Sequence, residues 1–307
     1  MTCLAGGVGA ARFLQGVTKV IPPEDLTVIV NTGDDMNLYG LHISPDIDII
    51  TYTLAGIVDE EKGWGIRNDS FNFLEQLRRY GHNTWFNLGD HDLATHINRT
   101  ILLNSGHSLS EVTDIQRRVL GVKTEILPMS DDRFETHIRT EKGLIHFEEY
   151  LVKYGASKPV LGVEFIGGET AKPLKSVIDS ITESELVLVA PSNPIVSIGT
   201  ILSLEGVKEA LATTDARIGG VSPIIGGIPV KGPADKLMEG LGYEVRASSV
   251  ALIYKEFLDH FVIDEEDEEE AEVIKDLGID VSITNTIMKT IEDKVSLAEK
   301  TLEALAR

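Results

Sequence analysis

The stretch Thr2–Ala10, TCLAGGVGA, is an apolar run that opens directly into a glycine-rich turn. A second apolar run, Leu26–Val30, ends in the polar loop Asn31–Asp35, NTGDD. A glycine turn that begins a helix presents backbone N–H groups to a phosphate, and paired carboxylates can hold the Mg²⁺ that such a phosphate carries. Loops after neighbouring parallel strands face one crevice. The two stretches therefore predict an α/β sheet with a nucleotide diphosphate site at its carboxyl edge.

Strands and helices alternate again in the second half of the chain, which favours a mostly parallel sheet with helices on both faces. Further strands are predicted at 186–190, 218–223, 260–263 and 279–283, followed by an amphipathic helix at 288–305. The region of about 60–125 has mainly helical periodicity and predicts an insertion that caps the carboxyl edge, and about 136–152 predicts a hairpin. No linker divides the chain, so we expect a single domain over residues 1–307.

Composition excludes several classes of protein. The chain has 28 basic and 49 acidic residues and a net charge of −21, which the acidic block 264–270 alone does not explain. Such a surface repels nucleic acid. The single cysteine, Cys3, cannot form an internal disulfide and is predicted to be a small buried residue. No apolar run reaches the roughly 18 residues of a membrane span, and Arg12 interrupts any signal sequence. We expect a cytoplasmic protein without a nucleic-acid or membrane partner.

The glycine turn after the first strand and the proline-bounded turn 191–194 each have more than one functional interpretation. Gly7 and Gly9 match two glycines of the dinucleotide fingerprint, but Arg12 stands in place of the third, and Asn31 ends the second strand. An NAD-dependent oxidoreductase and a turn without ligand are therefore alternatives to the favoured phosphate or nucleoside contact. The turn 191–194, PSNP, leads into a small-residue helix start and is either a phosphate or ribose site or a plain capped helix.

The acids and tryptophans near these turns also have two interpretations. Asp34 and Asp35 are either a solvated turn or Mg²⁺ ligands, and their place at the end of an internal strand favours the metal. Asp46 is predicted to cap the helix that it opens, and Asp48 either stabilises that helix or contacts a substrate hydroxyl. Trp64 and its loop, like the loop 85–92, combine aromatic and hydrogen-bonding side chains, which suits a flat aromatic ligand or a domain seam.

The order and spacing of six segments make the chain resemble a known family. They are 6–9 (GGVG), 31–35 (NTGDD), 44–48 (SPDID) with 52–54 (YTL), 63–65 (GWG), 88–96 (LGDHDLATH) and 190–194 (APSNP). This series is similar to the CofD family, 2-phospho-L-lactate transferases of coenzyme F-420 biosynthesis, as far as about Gly232. Asn87 stands where a basic residue is expected in many relatives.

The resemblance implies a Rossmann-like homodimer that requires Mg²⁺. It would transfer 2-phospho-L-lactate, or an enolpyruvyl phosphate unit, from a guanosine diphosphate-linked donor to the deazaflavin Fo, giving F-420-0 (or dehydro-F-420-0) and GMP. The same superfamily is also similar to regulatory proteins that bind nucleotide sugars without known chemistry, which is the alternative function.

Site roles follow from the residues and the resemblance together. Asp34, with Asp35 second, is expected to hold Mg²⁺, and Asp34 and Asp48 are the candidate catalytic residues. The residues expected to contact the nucleotide and its phosphates are Gly6, Gly7, Gly9, Arg12, Asn31, Ser192, Asn193 and Ser197. Those expected to contact Fo are Asp48, Trp64, Arg67, Asn87, Leu88, Asp90 and His91.

Overall fold

A computed structural model describes residues 1–306. The strands in this range are β1 (Thr2–Ala5), β2 (Thr27–Val30), β3 (Met36–Leu38), β4 (Leu41–Ile43), β5 (Glu125–Pro128), β6 (Glu135–Thr140), β7 (Gly143–His146), β8 (Gly162–Ile166), β9 (Leu186–Val189), β10 (Arg217–Val221), β11 (Ile224–Ile225), β12 (Ile228–Pro229), β13 (His260–Ile263) and β14 (Asp280–Ile283). The helices are α1 (Gly7–Val20), α2 (Pro45–Leu54), α3 (Asn72–Arg79), α4 (Asp90–Asn104), α5 (Leu109–Val119), α6 (Lys175–Glu183), α7 (Ile198–Leu202), α8 (Val207–Thr213), α9 (Ala234–Gly240), α10 (Ala247–Tyr254), α11 (Ala271–Lys275) and α12 (Ile291–Leu305). Short 3₁₀ turns at Pro23–Asp25 and Glu265–Glu270 and a π-helix at Glu149–Lys153 connect them.

Seven of the strands within residues 1–306 form a sheet in the order β14-β13-β10-β9-β1-β2-β5. Every neighbouring pair in it is parallel, which confirms the predicted Rossmann-like α/β class. The chain leaves β1 toward β2 and β5 on one side, and later fills the other side with β9 and β10. Loops diverge where the strand order reverses in this way and leave a crevice. The turns after β1 and β9 therefore flank the crevice.

The central strand β1 is buried on both faces, as expected for a parallel sheet covered by helices. Its alternate residues enter different cores: Leu4 packs with one cluster, and Cys3 and Ala5 with the other. The second core includes the apolar faces of α1 and α12. Burial raises the pKa of the Cys3 thiol to about 12. Cys3 is thus the small buried residue that the sequence predicts.

The segment between α2 and β5 contains the helices α3, α4 and α5. Strands β6 and β7 form a hairpin in the region where the sequence predicts one, and β6 also pairs with β8, which gives a separate antiparallel sheet in the order β7-β6-β8. Helix α1 begins within the glycine turn, at Gly7. Helix α5 is capped by Ser108, because Ser108 and Glu111 form a reciprocal capping box. Among the described helices, none combines the length and the apolar character that crossing a membrane requires.

Helices α1 and α12 are in close contact at Gly16. A Cβ atom added there would lie 2.1 Å from the backbone oxygen of Lys294. We expect Gly16→Ala to lower the free energy of unfolding by about 1–3 kcal/mol, although Ala stabilises an open helix position by roughly 1 kcal/mol. Urea denaturation measures the change. Gly162→Ala is the control, because its nearest neighbour, Arg139 Cβ, is 3.9 Å away; equal stability of both variants would contradict close packing at Gly16.

Candidate active site

The turn after β1 is shaped by backbone that only glycine accommodates. Gly7 has a φ of +70°, in the left-handed region. A Cβ atom on Gly9 would lie 2.3 Å from the carbonyl oxygen of Pro191, in the turn after β9. The Gly6 N–H also donates to the Ser192 hydroxyl oxygen at 3.3 Å. The two turns therefore lie against each other at the switch point, as their place in the sheet predicts.

Asp46 connects this turn to two other segments. Its Oδ1 accepts a hydrogen bond from the Gly7 N–H at 2.8 Å, and its Oδ2 accepts one from Asn31 Nδ2 at 2.9 Å. The prediction that Asp46 caps its own helix is wrong, because Ser44 is the N-cap residue of α2. Helix α1 has no side-chain cap from Gly6, so its first N–H groups need a partner from elsewhere. The Asp46 carboxylate supplies one.

Asn31 holds the end of β2 in the same network. While its amide nitrogen donates to Asp46, its Oδ1 accepts from the Gly33 N–H at 2.8 Å. Asn31 is fully buried. Its side chain thus fixes the loop that carries Asp34 relative to the start of α1.

A cavity of about 460 Å³ opens at this edge of the sheet. Nine of the predicted site residues line it: Gly6, Gly7, Gly9, Asp34, Trp64, Asn87, Ser192, Asn193 and Ser197. Its wall also includes the apolar side chains of Phe86, Phe147, Leu151, Val196 and Val230. The glycine turn, the acid Asp34 and the aromatic loop are far apart in the sequence, but they line the same cavity.

Three carboxylates line this cavity: Asp34, Asp46 and Glu148. Burial, followed by the negative charges of Asp46 and Glu148, raises the pKa of Asp34 well above its usual range. Burial raises the pKa of Asp46 to about 6, against the opposing hydrogen bonds from Asn31 and Gly7. Burial and the charge of Asp46 raise the pKa of Glu148 to about 8. Three neighbouring carboxyl groups that resist ionising together are thus a property of this cavity.

The donor set fits a hard divalent cation. Asp34 Oδ1 is buried and has no hydrogen-bond partner among the described residues. Mg²⁺ binds carboxylate oxygens and commonly uses one or two of them together with substrate oxygens and water. A cation beside Asp34 would give that oxygen a partner and reduce the repulsion among the three acids. Sequence reasoning missed Glu148, because nothing in the stretch 147–152, FEEYLV, distinguishes it from the neighbouring Glu149.

Asp35 has one oxygen that is bonded outside this cluster and one, Oδ1, that is buried without a partner among the described residues. Its Oδ2 accepts from the Ser44 hydroxyl at 2.7 Å and lies 3.0 Å from His42 Nε2. Asp35 does not appear among the residues that line the cavity. Its carboxylate instead supports the β3–β4 hairpin and the start of α2.

Asp48, a predicted catalytic and Fo-contacting residue, is also placed outside the cavity. Its carboxylate receives a two-pronged ion pair from Arg99, with Nη1 at 3.0 Å from Oδ2. His96 Nδ1 lies 3.6 Å from the same oxygen, and His96 Nε2 lies 3.1 Å from Asp92. Asp48, Asp92 and His96 have the spacing of a metal site, but the Arg99 guanidinium already neutralises Asp48, and Asp92 accepts a hydrogen bond from the Tyr52 hydroxyl at 2.7 Å. This buried network holds α2 against α4.

Four further residues predicted to contact Fo have local partners outside the cavity. Leu88 is buried beside Met36 and Ile43. The Asp90 carboxylate accepts hydrogen bonds from the Ser70 hydroxyl and from the N–H groups of Asn72 and Phe73 at the start of α3. These bonds lower the pKa of Asp90 to about 2. The exposed His91 donates its backbone N–H to Asp69, and Arg67 donates to the carbonyl of Gly56. Arg12, predicted to contact phosphate, lines a neighbouring cavity of about 250 Å³.

The family profile described as 2-phospho-L-lactate transferase CofD matches residues 1–296. The chain belongs to the CofD family. CofD proteins are transferases, so this chain is an enzyme of that class.

Two curated relatives cover nearly the whole CofD chain. A protein from Methanocaldococcus jannaschii named 2-phospho-L-lactate transferase is 42% identical over 307 residues, 99% of this chain and 97% of its own. One from Kitasatospora aureofaciens named phosphoenolpyruvate transferase is 42% identical over 309 residues, 98% of this chain and 96% of its own. The crystal structure of a UPF0052 family protein from Bacillus halodurans is 18% identical, with a TM-score of 0.65 over 98% of this chain and 97% of that one, and shares the fold.

The raised pKa values in the acid cluster make the stability of the folded protein depend on pH. The folded protein keeps a proton on Glu148 up to about pH 8, whereas an unfolded Glu loses it near 4.5, so the folded state binds more protons between these values. Without divalent cations, the free energy of unfolding should fall as pH rises through this window. We expect Glu148→Gln to stabilise the protein by about 1–3 kcal/mol at pH 8 and little at pH 5.

Chemical denaturation at both pH values measures the effect. Glu149→Gln is the matched control, since Glu149 is partly exposed and paired with Lys153 at 2.8 Å. A Glu148 variant with the same pH dependence as wild type would show that the native carboxyl titrates normally.

Proposed function

We propose that this chain transfers the 2-phospho-L-lactate or enolpyruvyl phosphate moiety from a guanosine diphosphate-linked donor to Fo, 7,8-didemethyl-8-hydroxy-5-deazariboflavin. The products are F-420-0 or dehydro-F-420-0, and GMP. The printed names of the two 42%-identical relatives support the transferred unit. The observation that carries the proposal is the single cavity that joins a phosphate-type turn, a buried acid cluster and an apolar wall. The homodimer and the guanine specificity rest on the family resemblance.

The donor's diphosphate is assigned to the turns after β1 and β9. Helix α1 directs its N-terminal N–H groups and the positive end of its dipole into the cavity, where they favour an anion. In the other turn, Asn193 Oδ1 accepts from the N–H groups of Ile195 and Val196 at 2.9 and 3.3 Å. These hydrogen bonds hold the turn in shape, and Ser192 and Ser197 line the cavity beside it.

Mg²⁺ is assigned to Asp34, with Glu148 and Asp46 nearby. When bound, the cation would neutralise phosphate oxygens and so favour displacement at phosphorus. Asp34 supplies an unpaired buried oxygen for it. Asp35 Oδ1 is also buried without a partner among the described residues, but Asp35 is the weaker candidate because it does not line the cavity and its Oδ2 is bonded to Ser44.

The acceptor is assigned to the aromatic and apolar wall around Trp64, Phe86 and Asn87. The terminal ribityl hydroxyl of Fo attacks the distal phosphorus, the P–O bond to GMP breaks, and the hydroxyl loses its proton. Glu148 is the candidate to accept that proton once a cation bound at the acid cluster has lowered its pKa and released the proton that it otherwise keeps. Asp48 is held by Arg99 and does not line the cavity. Alignment of the two substrates is the main contribution expected from the protein.

Incubation with Fo, Mg²⁺ and each donor separately tests the reaction. Deazaflavin fluorescence after chromatography and mass spectrometry report which product forms, and GMP should appear in equal amount. The donor that reacts identifies the transferred unit. Nucleotide binding without GMP release from either donor would reject the transferase assignment in favour of a nucleotide-binding protein without catalysis.

For the metal site, we expect Asp34→Asn to lower the rate at least about a hundredfold and to remove the dependence on Mg²⁺, because the isosteric amide cannot balance the cation's charge. Asp35→Asn is the comparison and should retain a Mg²⁺ response. Initial rates over a Mg²⁺ titration measure both. A normal Mg²⁺ response in the Asp34 variant, with its loss in the Asp35 variant, would reverse the assignment.

A further inference from the structure

The main cavity adjoins a smaller cavity of about 250 Å³, and Val8 and Ile49 line both. The smaller cavity is lined by three cationic side chains, Arg12, Lys289 and Lys294, and by one acid, Glu60. This local excess of positive charge lies in a chain whose net charge is −21. The boundary between the cavities is thus an unusual part of the molecule's surface.

Two cationic groups converge at this boundary. A Cβ atom placed on Gly63 would lie 2.6 Å from Lys231 Nζ and 3.8 Å from Arg12 Nη2, and 3.5 Å from Val8. Both nitrogen atoms therefore approach the same small volume, which Gly63 leaves free of side chain. Lys231 reaches it from the loop after β12, and Arg12 from α1.

Neither cation has an acidic partner within residues 1–306. Lys231 donates to the carbonyl oxygen of Lys62 at 3.5 Å, while the nearest acid of the smaller cavity, Glu60, is engaged by Gln15 and Lys294. Partial burial and the charge of Arg12 lower the pKa of Lys231. Two adjacent positive charges without a counter-charge are stabilised by a bound anion.

The pair also lies beside the start of α1. Val8 and Arg12 are four residues apart on one face of the helix, and helical side chains tilt toward the N-terminus. The Gly7 N–H is occupied by Asp46, but the N–H groups that follow it in the first turn have no intrahelical acceptor. An anion at this helix end would meet backbone donors on one side and the cationic pair on the other.

We propose that Lys231 and Arg12 form an anion subsite that binds the diphosphate of the nucleotide donor. The inference rests on the proposed function for the identity of the nucleotide. It adds Lys231, which neither the sequence motifs nor the acid cluster indicates. In this arrangement the negative charge of the diphosphate is neutralised at two places. The cationic pair contacts phosphate at the cavity boundary, and the acids around Asp34 bind a divalent cation.

Isothermal titration calorimetry of the full chain with guanosine diphosphate, inorganic pyrophosphate and guanosine tests this, without divalent cation. We expect Lys231→Met and Arg12→Met each to weaken binding of both diphosphates by about tenfold or more, and to reduce its salt dependence. Guanosine affinity, and Fo affinity measured by fluorescence, should stay unchanged. Lys231→Arg, which keeps the charge, should retain most of the affinity. Lys175→Met is the control for net charge, because Lys175 is exposed and paired with Asp179.

The outcomes separate this inference from the proposed function. Diphosphate affinity that is unchanged in both methionine variants overturns the subsite, even if wild type catalyses the transfer. Equal weakening of Fo binding also overturns it, because the effect would then be structural. Loss of diphosphate binding in the variants supports the subsite even if wild type releases no GMP, a result that would reject only the transferase.

Discussion

The carboxylate of Asp46 is the interaction on which the arrangement of the site depends. It accepts one hydrogen bond from the first turn of α1 and another from Asn31 at the end of β2, while its own backbone belongs to α2. Three segments are thus held at fixed positions by one side chain. Gly6 lies directly against this carboxylate, and a larger residue would clash there because its Cβ atom would lie 2.7 Å from Asp46 Oδ2. Glycine in this turn is required by the close approach of the carboxylate as well as by the backbone conformation.

Holding a carboxylate in this place has an electrostatic cost that shapes the cavity. Asp46 and Glu148 raise the pKa of Asp34, and burial raises all three. Hydrogen bonds only partly offset the repulsion among such acids. At the boundary with the smaller cavity, Lys231 and Arg12 place two positive charges close together. An acid end that favours a cation and a basic end that favours phosphate are complementary to a metal-bound nucleotide. Strain of this kind is common where binding a ligand completes the structure.

Local sequence patterns predicted those parts of the site that depend on neighbouring residues. Gly7 and Gly9 mark a turn because few other residues fit it, and the apolar runs predict buried parallel strands. The same patterns failed where a side chain has a distant partner. Asp46 has the features of a helix cap, yet it bonds to residues 39 and 15 positions away. Asp48 has the features of a substrate contact, but Arg99, 51 positions away, binds it. Glu148 and Lys231 have no local pattern, since each reaches the cavity only through the packing of its loop.

The sequence by itself determined the α/β class, the places where strands end in polar turns, and the family, because these follow from periodicity, glycine positions and ordered motifs within short stretches. Tertiary structure alone decided which acids share the cavity and which are neutralised elsewhere. The physical reason is that a carboxylate's role depends on its nearest charges and donors in space. Asp34 and Asp35 are adjacent in the chain, yet Asp34 lines the cavity with two other acids, whereas Asp35 does not line it and is bonded through Oδ2 to Ser44 and His42.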